Sequence, residues 1–398
     1  MEVTEVQYKE SEIGVIPVDW EVKQLSTIGK FTKGQGIRKD EATNGEIPCV
    51  RYGELYTRHN DYIKEYFSFI SNETAKSARR LRPGDILFAG SGETKEEIGK
   101  CAAFVDNIEA YAGGDIVILS PIDVSPLFLG YLLNAQHIQK QKASKGQGDA
   151  IVHISANQLG SIQIPLPPTK SEQTAIATAL SDTDALIENL EKLIAKKRNI
   201  KQGVMQELLK PKNGWGIKKL GDFIRLQTGF PFSSEYFSDN PKGQRLIKNR
   251  DLRSDDSIVY YSGDYAKEFI VQNNDLLIGM DGDFEPVLWK KGNALLNQRV
   301  GRILKIKEIS IPFLSFTLLK ELKEIEVRTS STTVKHLSHS DINKIEMPLP
   351  NFEKQTHIAT ILTDMDADIY ALEKKLNKIK QIKQGMMQAL LTGKIRLV

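Results

Sequence analysis

Three short motifs in this sequence contain residue types that could do chemistry. Phe88-Ala89-Gly90-Ser91-Gly92 has the glycine spacing with which some methyltransferases hold S-adenosylmethionine, although such short patterns are weak signals. Asp85 with Glu93-Thr94-Lys95 has the acids and lysine of a nuclease that holds Mg²⁺ through carboxylates. The segment from Gly92 to Lys100 has too many residues between its glycines for a phosphate-binding loop.

Much of the chain occurs twice, and the two copies do not share these motifs. Ile278-Gly279-Met280-Asp281-Gly282 lacks the glycine pattern, and Asp275 is followed by Asp283-Phe284-Glu285 without a lysine. The six histidines and two cysteines have no zinc spacing. His153 and His336 hold equivalent places, and we expect them to be structural, with a phosphate contact as the alternative. We therefore predict no catalytic residues and no metal site.

The composition bounds the class of protein. With 398 residues, of which 40% are hydrophobic, the chain is long enough for two or three domains. No apolar stretch approaches the ~20 residues that cross a bilayer, and the polar start at residues 1–5 is not a secretory signal. Cys49 and Cys101 form no disulfide framework. We expect a cytoplasmic protein without a membrane partner. A net charge of +3 is too weak to indicate nucleic-acid binding by itself.

The internal repeat is strongest in two segments. Residues 172–209 and 354–391 are identical at 22 of 38 positions. The similarity extends outwards, since Ile164-Pro165-Leu166-Pro167 matches Met347-Pro348-Leu349-Pro350. Between such landmarks the halves barely align. A repeated frame therefore carries two diverged inserts.

Each strong repeat is predicted to be a long helix. Thr169 and Asn351 follow prolines and are good N-cap residues, and the first helix should end at Lys210-Pro211-Lys212-Asn213-Gly214. Apolar residues recur every three or four positions over about five heptads, as in a coiled coil. The expected helix-helix seam comprises Ile176, Leu180, Ile187, Leu190, Ile194, Leu208, Ile358, Leu362, Ile369, Leu372, Leu376 and Leu390.

Charges indicate how these helices pair. Acids lie in the early turns and bases in the later turns of both helices, so antiparallel pairing brings opposite charges together. The alternative is that the charges only complement each helix dipole. Gly203 and Gly385 either permit close approach of a neighbour or mark a kink. The acids are Asp182, Asp184, Asp364, Asp366 and Asp368, and the bases are Lys196, Lys197, Arg198, Lys201, Lys374, Lys375, Lys378, Lys380 and Lys383.

The diverged inserts contain short β-type runs, such as residues 47–50, 115–119 and 275–278, and helical stretches at 127–141 and 312–325. We predict an α+β fold in which two mixed α/β domains are separated by a long antiparallel two-helix coiled coil, with pseudo-twofold internal duplication. The expected boundaries are 1–165 and 212–347 for the two domains and 166–211 and 348–398 for the helical segments.

With these features the chain resembles the specificity subunits of type I restriction-modification systems over nearly its whole length. It departs from the doubled pattern at Lys354, where the first copy has Glu172. The motifs that carry the resemblance are Ile164-Pro165-Leu166-Pro167-Pro168, Glu172-Gln173, Lys201-Gln202-Gly203-Val204-Met205-Gln206, Met347-Pro348-Leu349-Pro350, Gln355 and Lys383-Gln384-Gly385-Met386-Met387-Gln388.

The resemblance implies two target recognition domains, each reading one half of a split sequence in double-stranded DNA. It implies that the helices set the separation of the halves and dock two methyltransferase (modification) subunits. Restriction would need separate translocase-nuclease subunits driven by ATP. The resemblance also implies that this chain has no catalytic residues and binds no cofactor, with S-adenosylmethionine, ATP and Mg²⁺ on the partner subunits.

Candidate DNA-binding residues lie in polar loops after apolar runs, where Arg, Lys, Asn and Gln can reach base edges. Residues 51–55 and 248–252 occupy corresponding places with different side chains, as two different half-sites would need. The alternative for each residue is that it only solvates its loop. The candidates are Gln35, Arg38, Lys39, Arg51, Tyr52, Lys95, Lys145, Lys248, Asn249, Arg250, Arg253, Gln298 and Arg299.

Two other functions stay open at this point. The chain could be a DNA methyltransferase or nuclease acting on its own through Asp85, Glu93 and Lys95. It could instead be a scaffold that binds only proteins, which predicts no salt-dependent DNA affinity in the complex.

Overall fold

The computed structural model describes residues 7–43, 45–148, 151–328 and 335–397. Residues 1–5, on which the expectation about a secretory signal was based, lie outside the described residues. The chain divides into two compact units. The first unit comprises residues 1–191 and 374–398, and the second unit comprises residues 192–373.

The first unit is a mixed α/β structure. Its strands are β1 (Tyr8–Lys9), β2 (Ile16–Pro17), β3 (Glu21–Gln24), β4 (Gly29–Lys33), β5 (Ile47–Val50), β6 (Ser68–Ile70), β7 (Arg79–Arg80), β8 (Ile86–Ala89), β9 (Ser91–Gly92), β10 (Cys101–Ala103), β11 (Tyr111–Ala112), β12 (Ile116–Pro121), β13 (Val152–His153) and β14 (Gln163–Leu166). Its helices before the long segment are α1 (Tyr52–Thr57), α2 (Asn72–Ser77), α3 (Pro126–Leu133), α4 (Gln136–Lys145) and α5 (Ala156–Gly160).

Two four-stranded sheets organise the first unit. One has the order β10-β8-β12-β4 and is antiparallel, and the other has the order β6-β5-β11-β7, with β5 parallel to β11. Side chains of a strand alternate between faces, and both faces of β8 are buried. Phe88 packs in one core cluster with Phe128 of α3, whereas Leu87 packs in another with Val50 of β5. The central strand is therefore covered by helices on one side and by the second sheet on the other.

The second unit repeats this plan with different loops. Its strands are β15 (Gly216–Lys219), β16 (Ile224–Thr228), β17 (Phe237–Ser238), β18 (Gln244–Ile247), β19 (Val259–Tyr261), β20 (Ile270–Val271), β21 (Leu276–Gly279), β22 (Pro286–Leu288), β23 (Ala294–Leu296), β24 (Val300–Lys305) and β25 (Glu346–Leu349). Antiparallel β16-β24-β21-β22 corresponds to the first sheet, and β17-β19-β18-β23-β20 contains the parallel pair β18 and β23. The helices between its strands are α7 (Ile311–Arg328) and α8 (His339–Asn343).

The two long helices have 39 residues each, which corresponds to roughly 58 Å. In chain order they are α6 (Lys170–Leu208) and α9 (Phe352–Leu390). The Oγ1 of Thr169 accepts the backbone N–H of Glu172 at 3.2 Å, and the Oδ1 of Asn351 accepts that of Lys354 at 3.0 Å. The two N-caps that the sequence predicts are confirmed.

The long helices run antiparallel within each unit. In the first unit Asp184 of α6 binds Lys383 of α9 at 2.7 Å. In the second unit Lys197 of α6 binds Asp368 of α9 at 3.0 Å. Early residues of one helix thus meet late residues of the other, and the antiparallel pairing predicted from the charges is confirmed. Further pairs of this kind are Glu191 with Lys380, Lys201 with Asp366, and Arg198 with Glu373.

The first turns of both long helices pack against sheet-bearing cores. Ile176 and Leu180 belong to the core cluster of the first unit, and Ile358 and Leu362 belong to that of the second unit. Contacts confined to the other helix therefore begin only after these turns. Of the expected seam, Ile176, Leu180, Leu190, Ile194, Ile358, Leu362, Ile369 and Leu390 are buried, whereas Ile187, Leu208, Leu372 and Leu376 are half-buried.

The expectation of one helix over residues 127–141 is wrong, because α3 and α4 are separate helices. The break lies at Asn134, whose Oδ1 accepts the backbone N–H of Cys101 at 3.1 Å and whose Nδ2 donates to the Cys101 carbonyl at 2.8 Å. Asn134 is the C-cap of α3, and the next residue, Ala135, has an extended backbone and is the N-cap of α4, so the two helices are separate. Among the described residues, no helix is long and apolar enough to span a membrane.

Candidate nucleic-acid interface

The two units present the ends of equivalent strands to solvent. After β5 the chain turns into α1, and Glu54 accepts the backbone N–H of Arg51 at 3.0 Å. After β18 it turns into a 3₁₀ helix, and Asp251 accepts the backbone N–H of Lys248 at 2.8 Å. The same capping contact in both units shows that residues 51–55 and 248–252 occupy structurally corresponding places.

A second pair of strand ends is locked by the same backbone hydrogen bonds. In the first unit the N–H of Gly90 donates to Asp115 at 2.7 Å, and the N–H of Ile154 donates to Gly90 at 2.9 Å. In the second unit the N–H of Met280 donates to Arg299 at 3.0 Å, and the N–H of Leu337 donates to Met280 at 2.8 Å. These bonds define two equivalent strand-end sites. The first strand-end site is Ser91, Asp115 and His153, and the second strand-end site is Asp281, Arg299 and His336.

The first strand-end site is a small polar pair beside a cleft. The Oγ of Ser91 lies 2.9 Å from the Nδ1 of His153, and Asp115 lies 3.9 Å from Lys33. Both residues of the pair line an open cleft of about 760 Å³, whose other polar lining includes Gln147. This site offers a hydroxyl and an imidazole, and its acid is accompanied by a lysine.

The second strand-end site is an ion-paired triad with an exposed cation. The Oδ2 of Asp281 lies 2.9 Å from Nη1 of Arg299, and its Oδ1 lies 2.8 Å from Nδ1 of His336. The Asp281 side chain is 16% exposed, while those of Arg299 and His336 are 65% and 61% exposed. A half-buried carboxylate thus holds two side chains that face solvent.

The short helices after β5 and β18 brace these sites from one side. The hydroxyl of Tyr56 donates to the Ser91 carbonyl at 3.0 Å, and the Nδ2 of Asn249 donates to the Asp281 carbonyl. Burial raises the pKa of Tyr56 well above its ordinary value, so its hydroxyl keeps the proton that it donates. The two strand ends of each unit therefore form one continuous surface.

Arg253 joins this surface in the second unit. Its guanidinium binds Asp283 and Glu285, the latter at 3.2 Å. The hydrogen bond from Arg253 holds the pKa of Asp283 below its usual range. The structure therefore brings three of the residues predicted from sequence, Asn249, Arg253 and Arg299, around the loop that follows β21.

The remaining candidates of the second unit lie on neighbouring loops. Lys248 places its Nζ 5.2 Å from the ring centroid of Phe237, and Arg250 donates to Ser257 Oγ at 3.0 Å. Gln298 is exposed next to Arg299, and its backbone N–H donates to Phe230 at 3.1 Å.

The candidates of the first unit are more dispersed. Gln35 donates from its Nε2 to the Ser77 carbonyl at 3.1 Å, so its loop, which also carries exposed Arg38 and Lys39, lies beside α2. Lys145 ends α4 and is half-buried, with its carbonyl accepting a bond from Gln158 of α5. Lys95 is exposed on the turn that follows β9. Arg51 is half-buried and Tyr52 is exposed, both at the start of α1.

The acid and lysine set that resembles a nuclease is not assembled. Asp85 closes the turn before β8, where it accepts the N–H of Arg82 at 2.9 Å and the hydroxyl of Ser120 at 2.6 Å. Glu93 follows β9, which lies beyond the other end of β8. Within the described ranges, no group of three or more His, Cys, Asp or Glu side chains is arranged to hold a metal ion.

Sequence reasoning missed the polar partners of the strand-end sites. It expected His153 and His336 to be structural, with a phosphate contact as the alternative, and the structure places both on the surface beside the candidate residues. Ser91 and Asp281 were considered only as parts of motifs. The sequence did show that both histidines precede an Ile/Leu-Ser pair at equivalent places of the repeat, but this signal did not identify Ser91 or Asp281 as their partners.

Comparison with known proteins gives the same family for both halves of the chain. Residues 17–197 and 212–384 match the model of the type I restriction modification DNA specificity domain. The type I restriction enzyme MjaVIII specificity subunit of Methanocaldococcus jannaschii is 27% identical to this chain, over 99% of this chain and 97% of its own length. The EcoBI specificity subunit of Escherichia coli is 33% identical over 47% of this chain and 41% of its own length.

The fold is also that of a solved structure. The crystal structure of a type I restriction-modification system S subunit from M. genitalium superposes with a TM-score of 0.64. The match covers 98% of each chain at 16% sequence identity, so this similarity concerns the fold.

Proposed function

Because this chain belongs to the type I restriction-modification DNA specificity family, we propose that it reads a bipartite site in double-stranded DNA, with one half per recognition domain. Members of this family confer DNA specificity and leave catalysis to other subunits. The alternative of a methyltransferase or nuclease acting on its own is therefore set aside.

The proposed recognition domains are residues 1–165 and 212–347, and the proposed spacer consists of residues 166–211 and 348–398. The observation that carries the proposal is the pair of equivalent strand-end sites, which have the same backbone hydrogen bonds but different side chains. A repeated backbone with unlike polar groups at its strand ends is suited to reading two different half-sites.

The helices have a separate role in this proposal. Stiff helices that pair antiparallel would fix the gap between the two half-sites and so let the second domain bind at high effective concentration once the first has bound. We propose that the same helices dock two methyltransferase subunits, and that restriction uses translocase-nuclease subunits. S-adenosylmethionine, ATP and Mg²⁺ would then act on those partner subunits.

The test of DNA reading is a domain exchange in the complete modification complex. Residues 212–347 are replaced by the matching segment of a relative with another specificity, and methylated sites are mapped in the host genome. One half of the methylated sequence should change, while the other half and the gap stay as they were. An exchange that leaves both halves of the methylated sequence unchanged, or that changes both halves, contradicts the proposal.

The test of the spacer is a matched deletion. Removing residues 192–198 and 371–377 takes one heptad from each helix at facing positions. The gap between the half-sites should shorten by about 10 Å, which is roughly three base pairs. Loss of methylation with both units still folded would also agree with the spacer role. Methylation at the original spacing contradicts the spacer role.

A further inference from the structure

We propose that Asp281, Arg299 and His336 together read one G·C base pair in the half-site of the second recognition domain. This inference rests on the proposed function and adds the base pair to it. Arg299 would supply the donors for guanine, His336 the acceptor for cytosine, and Asp281 would hold both in place.

The geometry of Asp281 leaves defined atoms of both partners free. Each carboxylate oxygen of Asp281 has one partner, Arg299 through Nη1 and His336 through Nδ1. A guanidinium has five N–H donors in a planar fork, so four remain for a ligand. Arg299 can therefore present two parallel donors to the O6 and N7 acceptors of a guanine, which is the commonest base-specific contact.

The contact with Asp281 determines which ring nitrogen of His336 is the donor. Because an ionised carboxylate only accepts hydrogen bonds, the Nδ1 of His336 carries the proton that it donates to Asp281. In the neutral ring Nε2 is then an acceptor. The amino group that a G·C pair presents beside O6 in the major groove is the N4 donor of cytosine. The two solvent-facing side chains thus match the acceptor, acceptor, donor pattern of this pair.

The surrounding charges favour a base edge over a phosphate. The loop that follows Asp281 carries Asp283 and Glu285, both engaged by Arg253. Lys323 and Lys335 also act on Asp283, and Glu326 binds Lys323. Four carboxylates then balance four cations, so the surface has no net positive charge and is poorly suited to the phosphate backbone. The ion pair with Asp281 restricts the conformations of Arg299, so little side-chain entropy is lost when Arg299 binds a base.

The equivalent place in the first unit offers different chemistry. Asp115 replaces Arg299, and Ser91 replaces Asp281, while His153 keeps its position. A carboxylate cannot donate to guanine O6 or N7. The first half-site should therefore not be read in the same way at this place, which gives an internal control.

The test uses the full chain assembled with its methyltransferase subunits and synthetic duplexes of its methylated site. Each guanine of the second half-site is replaced in turn by 7-deazaguanine, which lacks the N7 acceptor. At one position 7-deazaguanine should weaken DNA binding by the wild-type complex. At that position it should not further weaken binding by the Arg299→Ala complex. Arg299→Ala itself should lose roughly 5- to 150-fold in discrimination at that base pair.

Matched variants separate the roles of the three residues. His336→Ala should reduce the discrimination at the same base pair. Asp281→Asn should reduce it less than Arg299→Ala does, and combining Asp281→Asn with Arg299→Ala should cause no added loss. Arg225→Ala removes an exposed arginine from the far end of β16 and should leave the sequence preference unchanged.

Three outcomes overturn this inference. One is an unchanged sequence preference in Arg299→Ala. Another is uniform weakening for all sequences with a smaller salt dependence, which marks a phosphate contact. A third is a change in the half-site of the first domain. The domain exchange described above tests the proposed function independently, so the two failures are distinguishable.

Discussion

The side-chain oxygen of Gln173 accepts the backbone N–H of Ser125 at 2.9 Å, joining the start of α6 to the start of α3. The Nε2 of the same glutamine donates to the Pro167 carbonyl at 3.0 Å. The second unit repeats this contact, since Gln355 accepts from Ser310 and donates to Pro350. One buried amide thus satisfies two backbone groups at the junction of strand, short helix and long helix in each unit.

Gln173→Ala should destabilise the first unit by on the order of 2–4 kcal/mol, because it leaves a part-buried N–H and a buried carbonyl without partners. Gln355→Ala should do the same to the second unit. Hydrogen exchange measured by mass spectrometry resolves the two units. Gln206→Ala, at an exposed position of α6, is the control and should be near neutral. Equal effects of Gln173→Ala on both units would argue against a local role.

Buried Lys142 should make the stability of the first unit change with pH in the alkaline range. Its side chain has no exposed surface, and its Nζ donates to the Gly99 carbonyl at 2.7 Å. Burial lowers the pKa of Lys142 to about 8 from an ordinary value of 10.5. Between these values the unfolded chain keeps a proton that the folded chain has lost. The free energy of unfolding should therefore rise with pH across this window, by up to about 3 kcal/mol.

The measurement is the difference in unfolding free energy between wild type and Lys142→Met from pH 7 to pH 10.5. The unfolding free energy of the wild type should rise relative to that of the variant as the pH rises through 8. Lys140→Met, on an exposed position of the same helix, should show no such trend. A difference that is flat with pH would show that Lys142 stays protonated.

Arg396 is held by two acids of the first unit. Its Nη2 donates to Glu172 at 2.8 Å and to Asp19 at 3.0 Å, and the Glu172 side chain is only 1% exposed. Arg396→Met should cost about 3–5 kcal/mol because it leaves a buried carboxylate unpaired. The double variant with Glu172→Gln should recover part of the loss. Thermal unfolding checks both, with exposed Lys394→Met as the control.

Gly203 and Gly385 lie inside the long helices at places where an added Cβ would meet no atom of the described chain within 4 Å. Replacing either by alanine should stabilise the isolated chain by about 1 kcal/mol. If a methyltransferase subunit packs closely against these glycines, the same variants should weaken assembly of the complex. Thermal unfolding of the chain and titration with the partner subunit separate the two effects.

Local pattern predicted the parts of the fold that depend on few residues. The three- and four-residue spacing placed α6 and α9, and the opposed charges at Asp184 and Lys383 or Lys197 and Asp368 gave their direction, because ion pairs between facing helices depend only on sequence position. The correspondence of residues 51–55 with 248–252 could also be seen, since each segment follows two apolar residues and ends in an acid followed by leucine.

The strand-end sites could not be predicted, because they depend on strand order. Asp281, Arg299 and His336 come together only because β21 pairs with β24 and because Leu337 bonds Met280. Neither pairing leaves a local signal. The departure at Lys354 has a similar explanation. In the first copy Glu172 binds Arg396, but the position that matches Arg396 in the repeat is Gly214, so an acid at position 354 would have no such partner.

The first unit is built from both ends of the chain, with Leu390 and Leu391 in its core beside Trp20, whereas the second unit is one uninterrupted segment. During synthesis on the ribosome, the second unit can therefore close while the first still lacks part of its interior. The first unit is complete only once residues 390 and 391 have left the ribosome and can join its core. A truncated product that ends before residue 390 would carry an exposed apolar surface and be a substrate for chaperones and proteases.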